Sequence, residues 1–375
     1  MKFKYVLIAA ATLMMGFASC GSDNEVGGED VGGTKDVTIR VTKPSTYAEE
    51  ATADGVTPDV NDATLFFINS AGIVMEQGTM NAAEIADKVN GKTFLNIPAD
   101  VNKVVLVGNS TALTSPTFGT INNETQFNAV MLEQSAQTHA KTAVNVQGTA
   151  AIAAGTGNIT VTVQVRPAIS RIEIGEVKVK TGVGVGIELA SFKLTGIYIN
   201  NTYTKLGLDY STLPTLATEI LNYGLSAPEF TNTSYPARYK DEWAEAGVTN
   251  AASFTPTVVT DKWSYFVMPP VAGKGTTING EQKTSVPHIL IKVENAIKAS
   301  DNSQLYATPK FLTIRKLIDN STLNELTHLL PGRVYKITAI EVDGKDLGEP
   351  EGENRDITVL VDVLAWEGVD VTPGL

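Results

Sequence analysis

The sequence predicts an all-β protein with minor helices, built as two tandem antiparallel β-sandwich domains. Alternation of β-branched and polar residues recurs from residue 36 to the end, the period of a half-buried strand. Turn residues separate these runs, without the regular helices that a doubly wound sheet requires. The length of 375 residues, with 43% hydrophobic and 19% charged, fits two domains of roughly 150–200 residues and excludes bulk disorder.

Taken in order, the chain opens with Lys2 and Lys4 ahead of a largely apolar run from Tyr5 to Phe17. A bilayer core of about 30 Å needs about 20 such residues, so the run is too short to span and residues 1–19 fit a secretory signal instead. It ends in Gly16-Phe17-Ala18-Ser19-Cys20, with small residues directly before the only cysteine. This resembles the lipobox of bacterial lipoproteins, which implies acylation of Cys20, although Phe17 stands where leucine is usual. Several acyl chains on one residue anchor a protein stably where one is marginal. The alternative is an ordinary signal peptide with a chance cysteine. Residues 20–35 are rich in glycine and acids, with almost nothing to bury, and read as a flexible tether.

The first expected strand alternates Val37, Ile39 and Val41 with Thr38, Arg40 and Thr42. Further strands are expected over 63–68, 104–107 and 159–165, then 169–179, 192–200, 263–268, 288–293, 305–314, 334–342 and 357–366. The turn signals include Asn69-Ser70-Ala71-Gly72 and Asp343-Gly344-Lys345. Helices are expected only over 82–89 and 216–223. A proline at 167 ends a strand ladder because it lacks the N–H donor, which places the domain boundary there: 36–165 and 166–375.

The chemistry of catalysis is sparse. A net charge of −12 argues against a nucleic-acid surface. One cysteine excludes an intramolecular disulfide or a thiolate cluster. His139, His288 and His328 are scattered and read as surface or sheet histidines. Gly182-Val183-Gly184-Val185-Gly186 lacks the spacing of a phosphate loop and reads as a turn. Asp241-Glu242 and the acids from Glu349 to Glu353 read as solvated loops. No GxSxG elbow occurs. Nothing nominates a nucleophile, a base, a metal site or a cofactor, so the chain does not read as an enzyme. Trp243, Tyr235 and Tyr239 in the long 203–262 stretch offer one other reading, a stacking platform for glycans on a surface lipoprotein.

Several segments in sequence resemble the fimbrillin family of Bacteroidetes, the lipoprotein-derived type V pilins. They are the lipobox at Cys20, the strand Thr34-Lys35-Asp36-Val37-Thr38-Ile39-Arg40-Val41, the run from Asp62 to Ile68, and Ala99 to Ser110. The junction Arg166-Pro167-Ala168-Ile169-Ser170-Arg171-Ile172, the turn and strand Leu330 to Ile337, and the closing Asp356 to Trp366 complete the set. The resemblance implies transthyretin-like sandwiches and a fimbrium subunit that supports adhesion at the cell outer membrane. It implies as partners other pilin subunits, outer-membrane lipid through Cys20, and surface ligands of host or bacterium. In that family a trypsin-like protease cuts after a basic residue just beyond the first strand, and a neighbour's C-terminal strand fills the groove left behind by β-augmentation.

Carried onto this chain, the processing candidates are Arg40 and Lys43. Lys43 precedes Pro44, Arg40 lies inside the strand, and no arginine occurs between Arg40 and Arg166. An uncleaved anchor or accessory subunit therefore stays open as an alternative. The donor candidate is the strand 356–366, with Ile357, Val359, Val361 and Val363 on one face and Leu360 and Leu364 on the other. Apolar character on both faces suits burial between layers, equally as a donor or as a core strand of the second sandwich.

Overall fold

The computed structural model describes residues 32–42, 59–110, 120–137, 144–215, 219–221, 235–242, 247–249, 263–275, 277–278, 281–282, 285–352 and 357–365. The longer strands among them are β1 (Thr34–Thr42), β2 (Asp62–Asn69), β3 (Val74–Asn81), β4 (Lys92–Pro98), β5 (Val101–Gly108), β6 (Val146–Ala151) and β7 (Gly157–Gln164). These are followed by β8 (Ser170–Val179), β9 (Leu189–Asn200), β10 (Trp263–Val267), β11 (His288–Lys298), β12 (Lys310–Asp319), β13 (Arg333–Val342) and β14 (Ile357–Ala365). The fold is all-β, as the alternation predicts. β1 takes in Thr34 and Lys35, which the composition assigned to the tether.

Two sheets face each other in the N-terminal half. One is β4-β1-β7, with β1 in the middle, antiparallel to β4 and parallel to β7. The other is β3-β2-β5-β6, closed by the short strand Arg166–Pro167. Val37, Ile39, Val41, Val161 and Val163 from the first sheet meet Leu65, Phe67, Val104 and Leu106 from the second. The second sheet is apolar on its other face too. There Phe66, Ile68, Val105 and Val107 pack with Ile169, Leu206, Phe266 and Met268, which accounts for the unbroken apolar runs in β2 and β5.

The C-terminal half is a nine-stranded ladder in the order 240–242, β9, β11, β12, β14, β13, β8, β10, with Gly247–Thr249 added on β9. Its two arms share one core, where Ile172, Ile174 and Ile337 lie with Ile197, Ile291 and Leu312. Transfer of this apolar surface out of water is the main stabilising term, at roughly 25 cal/mol per Å².

The structure changes several local expectations. The helix expected over 82–89 is one turn, α1 (Ala82–Ala86), started by an Asn81–Glu84 capping box. It stops where the Asp87 carboxylate accepts from the Asn90 N–H and Gly91 turns with φ +69°. A helix over 216–223 does not form at Ile220–Leu221, which pair as a strand with Thr202–Tyr203. The strand expected over 305–314 begins later, at Lys310, directly after Pro309. A second short helix, α2 (Glu124–Asn128), is capped by Asn123. Strands β3, β4 and β6 were not expected.

Candidate strand-exchange site

The alternation of β1 sets its inward face as Lys35, Val37, Ile39 and Val41, all at most 2% exposed. A lysine on such a face must find acceptors for its ammonium. Lys35 Nζ donates to the carbonyl oxygens of Ala99 (3.2 Å), Val101 (2.6 Å) and Ala153 (2.8 Å). Burial pushes its pKa down, and the nearby Asp100 carboxylate opposes that shift. On the opposite face Asp36 Oδ1 accepts from the Asn96 N–H at 3.1 Å, where β4 bulges between Phe94 and Ile97 and Asn96 takes φ +59°. The hydroxyls of Thr38 and Thr93 lie 2.9 Å apart. β1 thus fills the centre of its sheet by ladder bonds on both edges. Withdrawing it leaves β4 and β7 as two facing unpaired edges over an apolar slot.

Of the processing candidates, Lys43 lies outside the described residues, as does Cys20. Arg40 lies within β1, opposite Thr162 of β7. A protease needs an extended, unpaired backbone, so a cut at Arg40 requires the end of β1 to open first. Its Nε is buried and meets no hydrogen-bond partner among the described residues.

The donor candidate sits in its own sandwich. Residues Ile357 to Val361 run parallel to β12, and Asp362 to Ala365 run antiparallel to the start of β13, so β14 crosses from one arm of the ladder to the other. Val359 and Val361 are buried in the second core, with Ile357 and Val363 packed against it more loosely. Leu360 points outward, 54% exposed, and Leu364 lines the core between the halves. Where β14 diverges from β13 a groove of about 670 Å³ opens between Thr338, Ala339 and Glu341 on one side and Ile357, Val359 and Leu360 on the other.

A buried ionic cluster that the sequence did not reveal lies around Glu351. Glu351, expected in a solvated loop, is 1% exposed. Its carboxylate lies 2.9 Å from His288 Nδ1 and 3.2 Å from Arg315 Nε, and accepts from Asn200 Nδ2 at 2.7 Å. Burial pushes its pKa up, but His288, Asn200 and Arg315 outweigh that and hold it below the usual carboxylate value. The four residues are far apart in sequence, so no spacing motif announces them. His288 is therefore a buried sheet histidine with a carboxylate partner. The Asp241-Glu242 pair is likewise engaged, accepting from the hydroxyls of Tyr265 (2.6 Å) and Tyr198 (2.7 Å).

Tyr235 and Tyr239 are 2% and 0% exposed, packed in the second core. They form no exposed stacking platform, and Trp243 lies outside the described residues. Among the described residues no three His, Cys, Asp or Glu side chains gather as a metal site.

No family model matches the sequence, and no curated protein matches it significantly. The fold does have solved relatives. A fimbrilin from Porphyromonas gingivalis W83 is similar over 91% of this chain and 99% of its own, with TM-score 0.55 and 12% identity. Two proteins assigned to cell adhesion are similar as well. One, from Parabacteroides distasonis ATCC 8503, covers 89% of this chain and 99% of its own, with TM-score 0.56 and 12% identity. The other, from Bacteroides eggerthii DSM 20697, covers 92% and 100%, with TM-score 0.52 and 16% identity. The fold they share spans both halves of the chain.

Proposed function

We propose that this chain is a structural, non-enzymatic subunit of a surface fimbrium supporting cell adhesion, belongs to the fimbrillin family, and polymerises by strand exchange. The observation that carries the reading is the position of β1: the N-terminal strand fills the middle of a three-stranded sheet, in a fold similar to a fimbrilin over 91% of this chain. In this reading the two halves, 36–165 and 166–375, act as tandem sandwiches. The chain reaches the outer membrane as a lipoprotein on Cys20. Proteolysis at Arg40 or Lys43 frees β1, and the β14 segment of a neighbour, with Ile357, Val359, Val361 and Val363 inward, takes its place. Main-chain ladder bonds supply the affinity and the alternate side chains the fit.

The test is incubation of the purified chain with a trypsin-like protease, followed by unboiled gel electrophoresis. Ladders that require both the cut and residues 355–375 support the reading; a cut chain that stays monomeric contradicts it. A second reading, an uncleaved anchor or accessory subunit, is supported by the pairing of Arg40 in mid-strand. Surface-sheared protein whose N-terminus remains the acylated Cys20 would favour it.

A further inference from the structure

Resting on the strand-exchange reading above, we infer that the β14 segment is a sequence copy of β1, and that the copy fixes the direction and register in which a second copy of this chain enters the β1 slot. Residues 35–41 read Lys-Asp-Val-Thr-Ile-Arg-Val, and residues 355–361 read Arg-Asp-Ile-Thr-Val-Leu-Val, in the same direction. The match holds at the three positions whose side chains make polar contacts in β1. Arg355 replaces Lys35, a cation for a cation, above three carbonyl oxygens that a five-donor guanidinium can satisfy. Asp356 replaces Asp36, acceptor for the Asn96 N–H at the bulge. Thr358 replaces Thr38, hydroxyl partner of Thr93.

The apolar positions agree in volume as well as type. Ile357 adds a methylene where Val37 sits, Val359 removes one where Ile39 sits, and Val361 repeats Val41. Such volume-conserving exchanges are the best tolerated in a packed core. The single departure is Leu360 for Arg40, and it removes a buried Nε that meets no partner among the described residues. The resting place suits the segment less well. Leu360 is 54% exposed there and Ile357 is only partly buried, whereas Val37 and Ile39 are both 0% exposed in the slot.

Because a slip of one residue moves every side chain to the other face, agreement on both faces admits one register. The incoming strand then runs as β1 does, antiparallel to β4 and parallel to β7, with Arg355 in the carbonyl cradle and Thr358 beside Thr93.

Two experiments test this on the chain from Gly21 onward, which contains no native cysteine. In the first, residues 35–41 are rewritten as Arg-Asp-Ile-Thr-Val-Leu-Val, and a control carries the sequence of residues 356–362, slipped by one. The rewritten chain should melt within about 5 °C of the parent and the slipped chain should fall well below it, by more than about 10 °C. Equal destabilisation of the two overturns the inference, even if filaments form and the fimbrial reading stands. In the second, protease-cut Thr93→Cys chains are mixed with Thr358→Cys chains and oxidised, beside a Thr93→Cys and Leu360→Cys mixture. Covalent dimers in the first mixture only are expected, since the hydroxyls of Thr38 and Thr93 already touch. Polymers that cross-link through position 360 instead overturn the register while leaving the fimbrial reading intact. Absence of any polymer overturns both.

Discussion

Truncating Ile39 to alanine tests how firmly β1 is held. Ile39 is 0% exposed, in a core with Val37, Leu65 and Phe67. Deleting a buried aliphatic side chain of this kind costs about 2–5 kcal/mol, the transfer term plus the cavity left behind. For a domain of this size about 1 kcal/mol moves the melting temperature by roughly 2–4 °C, so calorimetry should record a fall of about 4–20 °C. The second consequence is kinetic. Once the chain is cut after β1, the same contacts alone retain the strand, and about 1.4 kcal/mol corresponds to a factor of ten. Release of the N-terminal fragment, followed by mass spectrometry after size exclusion, should therefore accelerate roughly 30- to 4,000-fold. A fall in melting temperature below about 1 °C would refute the packing argument. A large fall with unchanged fragment release would refute the idea that core contacts of β1 set the rate of opening.

Three other outcomes are expected. Glu351 has a pKa depressed below 4.5 in the folded chain, so its ionised form stabilises the fold above that pH, and the contribution is lost as the pH falls through the depressed value. The difference in melting temperature between parent and Glu351→Gln should be constant above about pH 4.5 and shrink below it; a gap that widens in acid contradicts this. Val361 is 0% exposed in the second core, so Val361→Asp should lower the melting temperature of chain that has never polymerised, at a cost of several kcal/mol for an unpaired buried charge; an unchanged melting temperature contradicts the observed burial. Cys20→Ala should move the protein out of the detergent phase of membrane extracts, and continued partitioning like the parent contradicts lipidation.

The strands that alternate cleanly were legible in the sequence. β1 and β7 show period-2 burial because one face of each meets a core and the other meets solvent or a polar neighbour. The strands that were not legible lack that contrast. β3 reads Val-Met-Glu-Gln-Gly-Thr-Met-Asn, a polar edge strand whose Gly78 makes room for the Phe94 ring, 2.3 Å from where a Cβ would lie. β4 exposes Leu95, since it too is an edge. β6 reads Val-Gln-Gly-Thr-Ala-Ala, with Gly148 crossing the carbonyl of Gln164 at a distance a side chain would not allow.

At the site, the apolar face of β1 and the alternate valines of β14 could be read from the residues. Lys35 could not, because a lysine at a strand's start reads as solvated, and its acceptors Ala99, Val101 and Ala153 are backbone groups that no composition marks. Glu351 was hidden for the same physical reason. Its partners Asn200, His288 and Arg315 come together only through the pairing of β9, β11 and β12.

A density map of filaments sheared from the cell surface bears most directly on strand exchange. The side chains of the strand lying between β4 and β7 identify which segment fills the slot. Strand exchange predicts residues 355–361 of a neighbouring subunit, with a guanidinium over the carbonyls of Ala99, Val101 and Ala153. Finding Lys35 to Val41 of the same subunit still in that slot, within an intact filament, would contradict the account.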